Sequence, residues 1–473
     1  MLCIEHAKGL AAERQYVLDV VFTSYLGLDY ELREHSRPGT RITLIGDESQ
    51  RELTVEDCLF DIPGDHWLTP QSLPSEPLAP WSPPGWLRGA RELPAATPVI
   101  YGHPRPSPDD HRDEACSLRL DFDIFGSIFF MLTRYEEVVL PDSRDMHDRF
   151  AASSSLARRE GFLERPIVDE YVEILWAALK HLWPELRRPK RHYRVVPTHD
   201  VDVVSSFLGL PWQRVARATL GDLARRGGAS AALRRVRYST RHSLKHDPLD
   251  TFDFLMEESE THGLVSEFYF MTGDGRSARD GRYSVEVPFV RRLLRRIRDR
   301  GHVIGLHASY GTSMDSKATR GEFEHLRRVM DELGIHQELW GGRQHYLRFH
   351  SPETWRDWDA AGLDYDSTVS YVENAGFRCG TCHEFPTFDL LQRRRLRLRE
   401  RPLIAMEGSL LDQRYMALSL DAAVERMCEL GDSCRGVRGD YVFLWHNSHL
   451  ASEREKSAYS SFLSRSCAEA SVS

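Results

Sequence analysis

The sequence predicts an α/β protein in which a (β/α) barrel follows a smaller α+β N-terminal domain. From residue 192 onwards, short β-rich runs alternate with helical stretches, a rhythm typical of a parallel sheet or a (β/α) barrel. At 473 residues the chain is longer than one hydrophobic core usually serves, so we expect two domains. Ionisable residues also stand at the ends of four β-rich runs, where such barrels carry their active sites.

We divide the chain into an N-terminal accessory domain of unknown role (1–190), a barrel (191–455) and a C-terminal tail (456–473). The first domain holds a proline-dense loop, LTPQSLPSEPLAPWSPPGW, whose prolines exclude a helix or a central strand. Two runs with the spacing of buried helices follow it, DIFGSIFFMLTRYEEV and RPIVDEYVEILWAALKHLW. The predicted barrel strands are YRVVPT, SEFYFM, HVIGLH, QELWGG, GLDYDST, LIAMEG and DYVFLWH.

Charge and hydropathy narrow the classes of function. The formal net charge of −9 argues against a dedicated nucleic-acid-binding protein. The start of the chain lacks the pattern of a signal peptide, and the longest apolar run, DIFGSIFFML, has about half the length that crosses a bilayer. We therefore expect a cytoplasmic protein without a transmembrane segment.

Positive charge is concentrated in an insertion after the first predicted barrel strand, where residues 212–247 contain nine Lys or Arg. A charge run of this kind is usually a solvated helix face. The alternative is a cradle for an anionic substrate, such as an acidic glycan or a sugar linked to a nucleotide or a lipid pyrophosphate.

Four strand ends supply groups that could form one active site. These groups are Asp200 and Asp202 in THDVD, His307 in GLHASYG, Arg343 and His345 in GGRQHYLR, and His446 in FLWHNSHL. Two carboxylates at one strand end repel each other unless a metal ion or an arginine stands between them. Taken singly, each group is better explained as a surface polar residue or an N-cap. Together they indicate an active site.

These motifs resemble those of the polysaccharide deacetylases of carbohydrate esterase family 4, the NodB-like family, over most of the chain. The subgroup that they resemble is bacterial and has an extra N-terminal domain. The resemblance implies a distorted (β/α) barrel in which Asp200 is the catalytic base and Asp202 binds a metal ion. It also implies that Arg343 orients the base, that the backbone N–H of Tyr346 faces the oxyanion, and that His446 is the general acid.

Two further positions receive a substrate-binding role from the same resemblance. Asp366, in GLDYDST, occupies the place of the family's fourth motif. Trp445 stands directly before the general acid, in the closing motif Leu-Trp-His.

The second motif of the family departs from its usual pattern here. His307 is present, but Gly311 stands where a second metal-binding histidine is expected four residues later. His345 stands where the family normally has a proline, and we expect it to complete a site for a divalent metal, zinc, with Asp202. The alternative is a metal ion held by Asp202, His307 and water alone, although zinc sites usually have three or four protein ligands.

The implied enzyme is a hydrolase of carbon–nitrogen bonds other than peptide bonds. It would remove an N-acetyl group, or less readily an O-acetyl group, from an acetylated sugar or glycan precursor in bacterial surface-glycan biosynthesis. The alternative is a catalytically silent deacetylase-like protein that binds sugars or assists assembly. Gly311 favours this alternative, and the other motif residues oppose it.

Two motifs remain outside this interpretation. Cys379-Gly-Thr-Cys382-His383 has the spacing that attaches c-type haem. Haem attachment requires export, so we expect no haem. We interpret Cys379 and Cys382 as ordinary cysteines in a turn rather than as a zinc or redox pair. The run SRDMHDRF concentrates Asp145, His147 and Arg149, for which loop salt bridges are a simpler explanation than a second site.

Overall fold

The computed structural model describes residues 1–37, 39–85, 87, 93–104, 117–206, 247–273 and 277–468, together with residues 213, 216, 217 and 220. The strands are β1 Leu2–Ala7, β2 Tyr30–His35, β3 Thr40–Leu44, β4 Glu52–Val55, β5 Pro80–Trp81, β6 Thr97–Pro98, β7 Ser117–Leu120, β8 Arg194–Val201, β9 Glu267–Phe270, β10 Val303–Ala308, β11 Gly341–Gln344, β12 Tyr365–Asp366, β13 Phe385–Asp389, β14 Arg394–Glu400, β15 Ala405–Met406 and β16 Asp440–Leu444.

The helices are Ala11–Leu18, which continues as a π-helix over Asp19–Leu26, and Ile124–Leu132, Tyr135–Val139, Leu156–Arg159, Ile167–Leu182, Phe252–Thr261, Pro288–Asp299, Ser316–Glu332, Glu353–Ala361, Glu407–Leu411, Leu420–Gly436 and Glu453–Cys467. Short 3₁₀ turns cover Pro70–Ser72, Ala152–Ser154, Tyr310–Thr312, His345–Leu347 and Asn447–His449. In the described part of the chain, no helix is both long and apolar enough to span a bilayer.

The N-terminal unit is built on a five-stranded sheet in the order β2-β1-β3-β4-β7. The sheet is mixed, because β1 pairs parallel to β2 and antiparallel to β3. Both helices predicted for this unit are present, as Ile124–Leu132 with Tyr135–Val139 and as Ile167–Leu182. All nine residues of Ile124–Leu132 are buried, and eight of them are apolar or glycine, as expected for a helix inside the core.

The second sheet has nine strands in the order β13-β14-β12-β11-β10-β9-β8-β16-β15. Each of the seven predicted barrel runs overlaps a strand of this sheet, although QELWGG overlaps β11 only at Gly341 and Gly342, and β14 matches the alternating run RRRLRLRE. The strands pair in parallel except for β13 with β14. Over the described residues the sheet curls into a half-barrel and stays open between β13 and β15, so the predicted barrel is incomplete.

The predicted C-terminal tail is largely a structural helix, which corrects the division of the chain at residue 456. The helix Glu453–Cys467 begins at a capping box formed by Ser452 and Glu455. Tyr459, Phe462 and Leu463 are fully buried on its inner face, where they pack against the strand residues that lead to the site.

The two units share one continuous hydrophobic core, and buried polar contacts cross between them. Glu137 of the N-terminal unit accepts a hydrogen bond of 2.7 Å from Arg378 of the barrel unit, with both side chains buried. Asp169 accepts hydrogen bonds from the Thr381 hydroxyl at 2.7 Å and from the Cys382 backbone N–H at 3.1 Å. The Cys-Gly-Thr-Cys turn therefore docks the barrel onto the helix Ile167–Leu182.

Candidate active site

The predicted site residues meet at one edge of the nine-stranded sheet. Asp200 is the next-to-last residue of β8, and His307 is the next-to-last residue of β10. Arg343 lies in β11. His446 follows the end of β16 by two residues. Because parallel strands end at a common edge, residues far apart in sequence converge there. The structure thus brings together six strand-end groups: Asp200, Asp202, His307, Arg343, His345 and His446.

Asp200 forms a buried ion pair with Arg343. Nη1 of Arg343 lies 2.8 Å from Oδ1 of Asp200 and 3.0 Å from the Thr198 hydroxyl. Nε and Nη2 of the same guanidinium donate to the carbonyl and hydroxyl oxygens of Ser367. Burial opposes the charge on Arg343, but the Asp200 carboxylate outweighs it and raises the pKa of Arg343. The arginine is therefore a fixed cation that orients the Asp200 carboxylate.

Asp202, His307 and His345 point three ligand-type atoms at a common point. Oδ1 of Asp202 lies 3.2 Å from Nε2 of His307 and 3.5 Å from Nε2 of His345. All three atoms lie within 4.8 Å of one another. Oδ1 of Asp202 and Nε2 of His307 are buried without a hydrogen-bond partner among the described residues. Such buried polar atoms need a partner, and a cation would satisfy both.

The other ring nitrogen of each histidine is held by an acceptor. Nδ1 of His307 donates to the Arg343 carbonyl oxygen at 2.9 Å, and Nδ1 of His345 lies 2.9 Å from Oδ1 of Asp280. Since a carbonyl or carboxylate oxygen can only accept, Nδ1 carries the proton and Nε2 keeps its lone pair in the neutral ring. Second partners of this kind are typical of histidines that bind metal ions.

These residues fit a zinc ion. The ligand atoms of a tetrahedral zinc site stand about 3.3 Å apart, given bonds of about 2.0–2.1 Å, and the two distances to Asp202 agree with that spacing. Gly311 is exposed, lies in the 3₁₀ turn Tyr310–Thr312 and is not part of the cavity wall. His345, and not residue 311, therefore stands with Asp202 and His307 in this three-residue group.

His446 faces the opposite side of Asp202 and is paired with a carboxylate that the sequence analysis missed. Nε2 of His446 lies 3.7 Å from Oδ2 of Asp202, while its Nδ1 donates to Oε1 of Glu407 at 2.6 Å. Glu407 also contacts Nδ1 of His449 at 2.7 Å. Burial opposes a positive charge on His446, but Glu407 outweighs it and raises the pKa of His446 to about 10.

A cavity of about 610 Å³ opens over these groups. Its wall includes the predicted base, ligands and acid, and also Arg149, Arg279, Tyr346 and Tyr415. Tyr346 and Leu347 both adopt left-handed backbone conformations, with φ of 61° and 52°. Two consecutive non-glycine residues in this region are strained, and such strain is concentrated at functional sites.

Two predicted substrate-binding residues lie elsewhere, which corrects their assignment. Trp445 is 1% exposed and packs its ring 5.3 Å from that of Tyr459, because successive side chains at a strand end point to opposite faces. Asp366 is fully buried, and its Oδ1 accepts from the Thr368 backbone N–H at 3.0 Å. Burial raises the pKa of Asp366 to about 7. Neither residue belongs to the cavity wall in the described part of the chain.

The loop that contains Asp145, His147 and Arg149 makes the salt bridge that the sequence suggested, and it also reaches the cavity. Nη2 of Arg149 lies 2.5 Å from Oδ2 of Asp145. Nη1 of the same guanidinium donates to the carbonyl oxygen of Tyr346 at 3.2 Å. Nearly all of the basic insertion at 212–247 lies outside the described residues, so its anionic-substrate hypothesis stays a prediction.

Comparisons with known proteins give one family model and several solved structures that resemble the chain. Residues 2–184 match the model of a family described as a family of unknown function, DUF7033. No curated protein is a significant match. A crystal structure of a protein assigned as a polysaccharide deacetylase from Mycobacterium smegmatis is 17% identical, with a TM-score of 0.38 over 60% of this chain and 87% of the other.

Two further solved structures resemble the chain at a similar level. A protein assigned as a polysaccharide deacetylase from Pseudomonas aeruginosa PAO1 is 13% identical, with a TM-score of 0.34 over 58% of this chain and 87% of the other. A PuuE allantoinase is 11% identical, with a TM-score of 0.35 over 58% and 86% of the two chains.

Proposed function

We propose that this chain is a metal-dependent hydrolase that removes an N-acetyl group from a sugar, with an O-acetyl group as the second choice. One observation carries the proposal: the Arg343-bound carboxylate of Asp200, the Asp202–His307–His345 group and the Glu407-bound His446 all face one cavity. A base, a cation site and an acid are the three components that amide hydrolysis requires.

Asp200 serves as the general base in this proposal. Oδ1 is occupied by Arg343, so Oδ2 is the oxygen that can take a proton from the attacking water. A zinc ion held by Asp202, His307 and His345 would supply Lewis-acid polarisation of the acetyl carbonyl. The backbone N–H of Tyr346, at the cavity wall, would donate to the oxyanion that develops as the water adds.

His446 serves as the general acid. With a pKa of about 10 it is protonated at neutral pH, and its Nδ1 proton is engaged by Glu407. The Nε2 proton is therefore the one available to the departing nitrogen, which leaves as the neutral amine. One proton of the attacking water passes to Asp200, and its hydroxyl stays on the acetyl carbon as acetic acid, which ionises to acetate in solvent. Loss of the Asp200 proton and reprotonation of His446 return both groups to their starting state.

The proposed substrate is an acetylated sugar or glycan precursor of bacterial surface-glycan biosynthesis in the cytoplasm. The cavity of about 610 Å³ is wide enough for a sugar residue, and Tyr346 and Tyr415 in its wall offer rings on which a sugar can stack. A silent sugar-binding protein would not need the buried Arg343–Asp200 pair or the raised pKa of His446.

Acetate release provides the test. The purified protein, loaded with zinc, should release acetate from N-acetylhexosamine oligosaccharides or their nucleotide-linked or lipid-linked forms. A chelator and the variant Asp200→Asn should each abolish the signal. If zinc-loaded protein released no acetate from any N-acetylated or O-acetylated sugar while binding one of them, the silent alternative would replace this proposal.

A further inference from the structure

The active-site turn after β11 is held by a segment of the N-terminal unit. Nη1 of Arg149 donates to the Tyr346 carbonyl oxygen at 3.2 Å, across 197 positions of the sequence. The ring of His147 lies 4.9 Å from the ring of Tyr346. In the other direction, Nε of Arg348 donates to the His147 carbonyl oxygen at 2.9 Å. The N-terminal segment thus contacts this turn at Tyr346 and at Arg348.

The turn needs such support because its backbone is strained. Tyr346 and Leu347 have φ of 61° and 52°, a region that residues with a Cβ rarely adopt. A strained conformation persists only where its surroundings hold it. The conformation also decides where the N–H of Tyr346 points, and this is the group that we propose for the oxyanion.

Arg149 is well placed to hold the turn. Its side chain is buried, although it carries a charge, and its Nε and Nη2 both bind Oδ2 of Asp145. Oδ1 of Asp145 in turn accepts the backbone N–H groups of His147 and Arg149. This network fixes the guanidinium plane and leaves Nη1 directed at Tyr346.

Docking of the two units does not depend on Arg149. The buried Glu137–Arg378 pair, the Asp169–Thr381 hydrogen bond and the shared hydrophobic core join the units away from the cavity. Arg149 differs from those contacts because it is part of the cavity wall and binds the one turn in the described chain where two consecutive non-glycine residues have positive φ.

We propose that Arg149 is a positioning residue: it holds the strained Tyr346 turn so that the Tyr346 N–H faces the reacting carbonyl. The catalytic assignment rests on the proposed deacetylase function. The N-terminal unit then has a defined role, because it completes the active site of the barrel unit.

The first experiment measures the turn itself and needs no substrate. Hydrogen–deuterium exchange of the peptide that covers residues 344–350 is compared between the wild-type chain and Arg149→Met. We expect exchange of these amides to become at least tenfold faster in the variant, with no change in the helix Ile167–Leu182. Unchanged exchange at the turn would overturn the proposal, whatever the activity.

The matched control is Arg144→Met. Arg144 lies in the same segment and donates to a carbonyl of the same loop, that of Phe349, at 3.3 Å, but it is not part of the cavity wall. We expect this variant to leave the exchange of residues 345–347 at the wild-type rate. Arg149→Lys, which keeps the charge and one donor, should show an intermediate rate and replaces Arg149→Met if the latter does not fold.

The second experiment measures acetate release on the zinc-loaded chain. We expect Arg149→Met to lower kcat at least tenfold with an unchanged KM and zinc content, Arg149→Lys to recover part of the loss, and Arg144→Met to keep the wild-type kcat. Equal losses in the two methionine variants would overturn the positioning role. A wild-type chain that releases no acetate would refute the proposed function, while the exchange experiment would still decide whether Arg149 holds the turn.

Discussion

Glu407 accepts a hydrogen bond of 2.6 Å from Nδ1 of His446, and the same carboxylate oxygen lies 2.7 Å from Nδ1 of His449. The carboxylate is buried, but its two histidine partners outweigh the effect of burial and hold the pKa of Glu407 below its ordinary range. An ionised Glu407 keeps His446 protonated. The residue that tunes the proposed acid is thus one strand away from it.

The first prediction concerns the pH dependence of this pair. His446 must be protonated to donate, so activity is present below its pKa and is lost as the pH rises through it. In Glu407→Gln the carboxylate that raises the pKa of His446 is gone and burial lowers that pKa, so the basic limb of the kcat profile should move to lower pH than in the wild-type chain. Acetate release between pH 6 and 10 provides the measurement.

His449→Gln is the control for this shift. It removes the second histidine but keeps the Glu407–His446 hydrogen bond, so the basic limb should stay at high pH. Identical pH profiles for wild type and Glu407→Gln would contradict the assigned role of Glu407.

The second prediction concerns the proton-transfer groups themselves. Asp200→Asn and His446→Ala should each lower kcat by roughly a hundredfold or more, because each removes a group that moves a proton. Asn keeps the size of Asp200 and can still accept from Arg343, so the fold should be unchanged. Circular dichroism and steady-state rates check both points, and near-wild-type activity in either variant would show that its role is misassigned.

The third prediction concerns the metal site. His345→Ala should reduce bound zinc as strongly as Asp202→Ala, because each leaves an incomplete set of ligands. Gly311→His should add no zinc, since residue 311 is exposed and outside the cavity wall. Zinc stoichiometry after dialysis gives the answer. Normal zinc content in His345→Ala would favour the alternative in which Asp202, His307 and water hold the ion.

The sequence predicted the strand-end groups because one rule governs them. Parallel strands share an edge, so Asp200, His307 and His446 could be expected to meet once the strands were recognised. The same rule applies to Glu407, which lies within the predicted run LIAMEG and directly follows the strand Ala405–Met406, and an inspection of that strand end could have found it.

Other parts of the site have no local signal. Tyr346 belongs to a residue type with no preference for a left-handed backbone, and its partner Arg149 lies on a different unit. Asp280 stands in an irregular loop, where nothing in the sequence relates it to His345. The Arg149–Tyr346 contact arises from the packing of the two units, and the Asp280–His345 contact from the packing of a loop inside the barrel unit. The pattern of neighbouring residues encodes neither.

The fourth prediction concerns the junction between the units. The hydrogen bonds from Thr381 and Cys382 lower the pKa of Asp169, but burial outweighs them and raises this pKa to about 7. Between about pH 4 and pH 7 the folded chain therefore holds a proton here that the unfolded chain has released. Stability that this group contributes is present at low pH and is lost as the pH rises through the folded-state pKa.

Asp169→Asn removes this titration and keeps a side chain that can still accept from Thr381. We compare the free energy of unfolding of the wild-type chain with that of Asp169→Asn. The difference, wild type minus variant, should fall by roughly 2–4 kcal/mol between pH 4 and pH 8. Urea denaturation of both chains across this range gives the difference. Asp299→Asn, at an exposed carboxylate, should show a difference that hardly changes with pH. A constant difference for Asp169→Asn as well would mean that Asp169 is ionised in the folded chain throughout, and that its hydrogen bonds from Thr381 and Cys382 outweigh its burial.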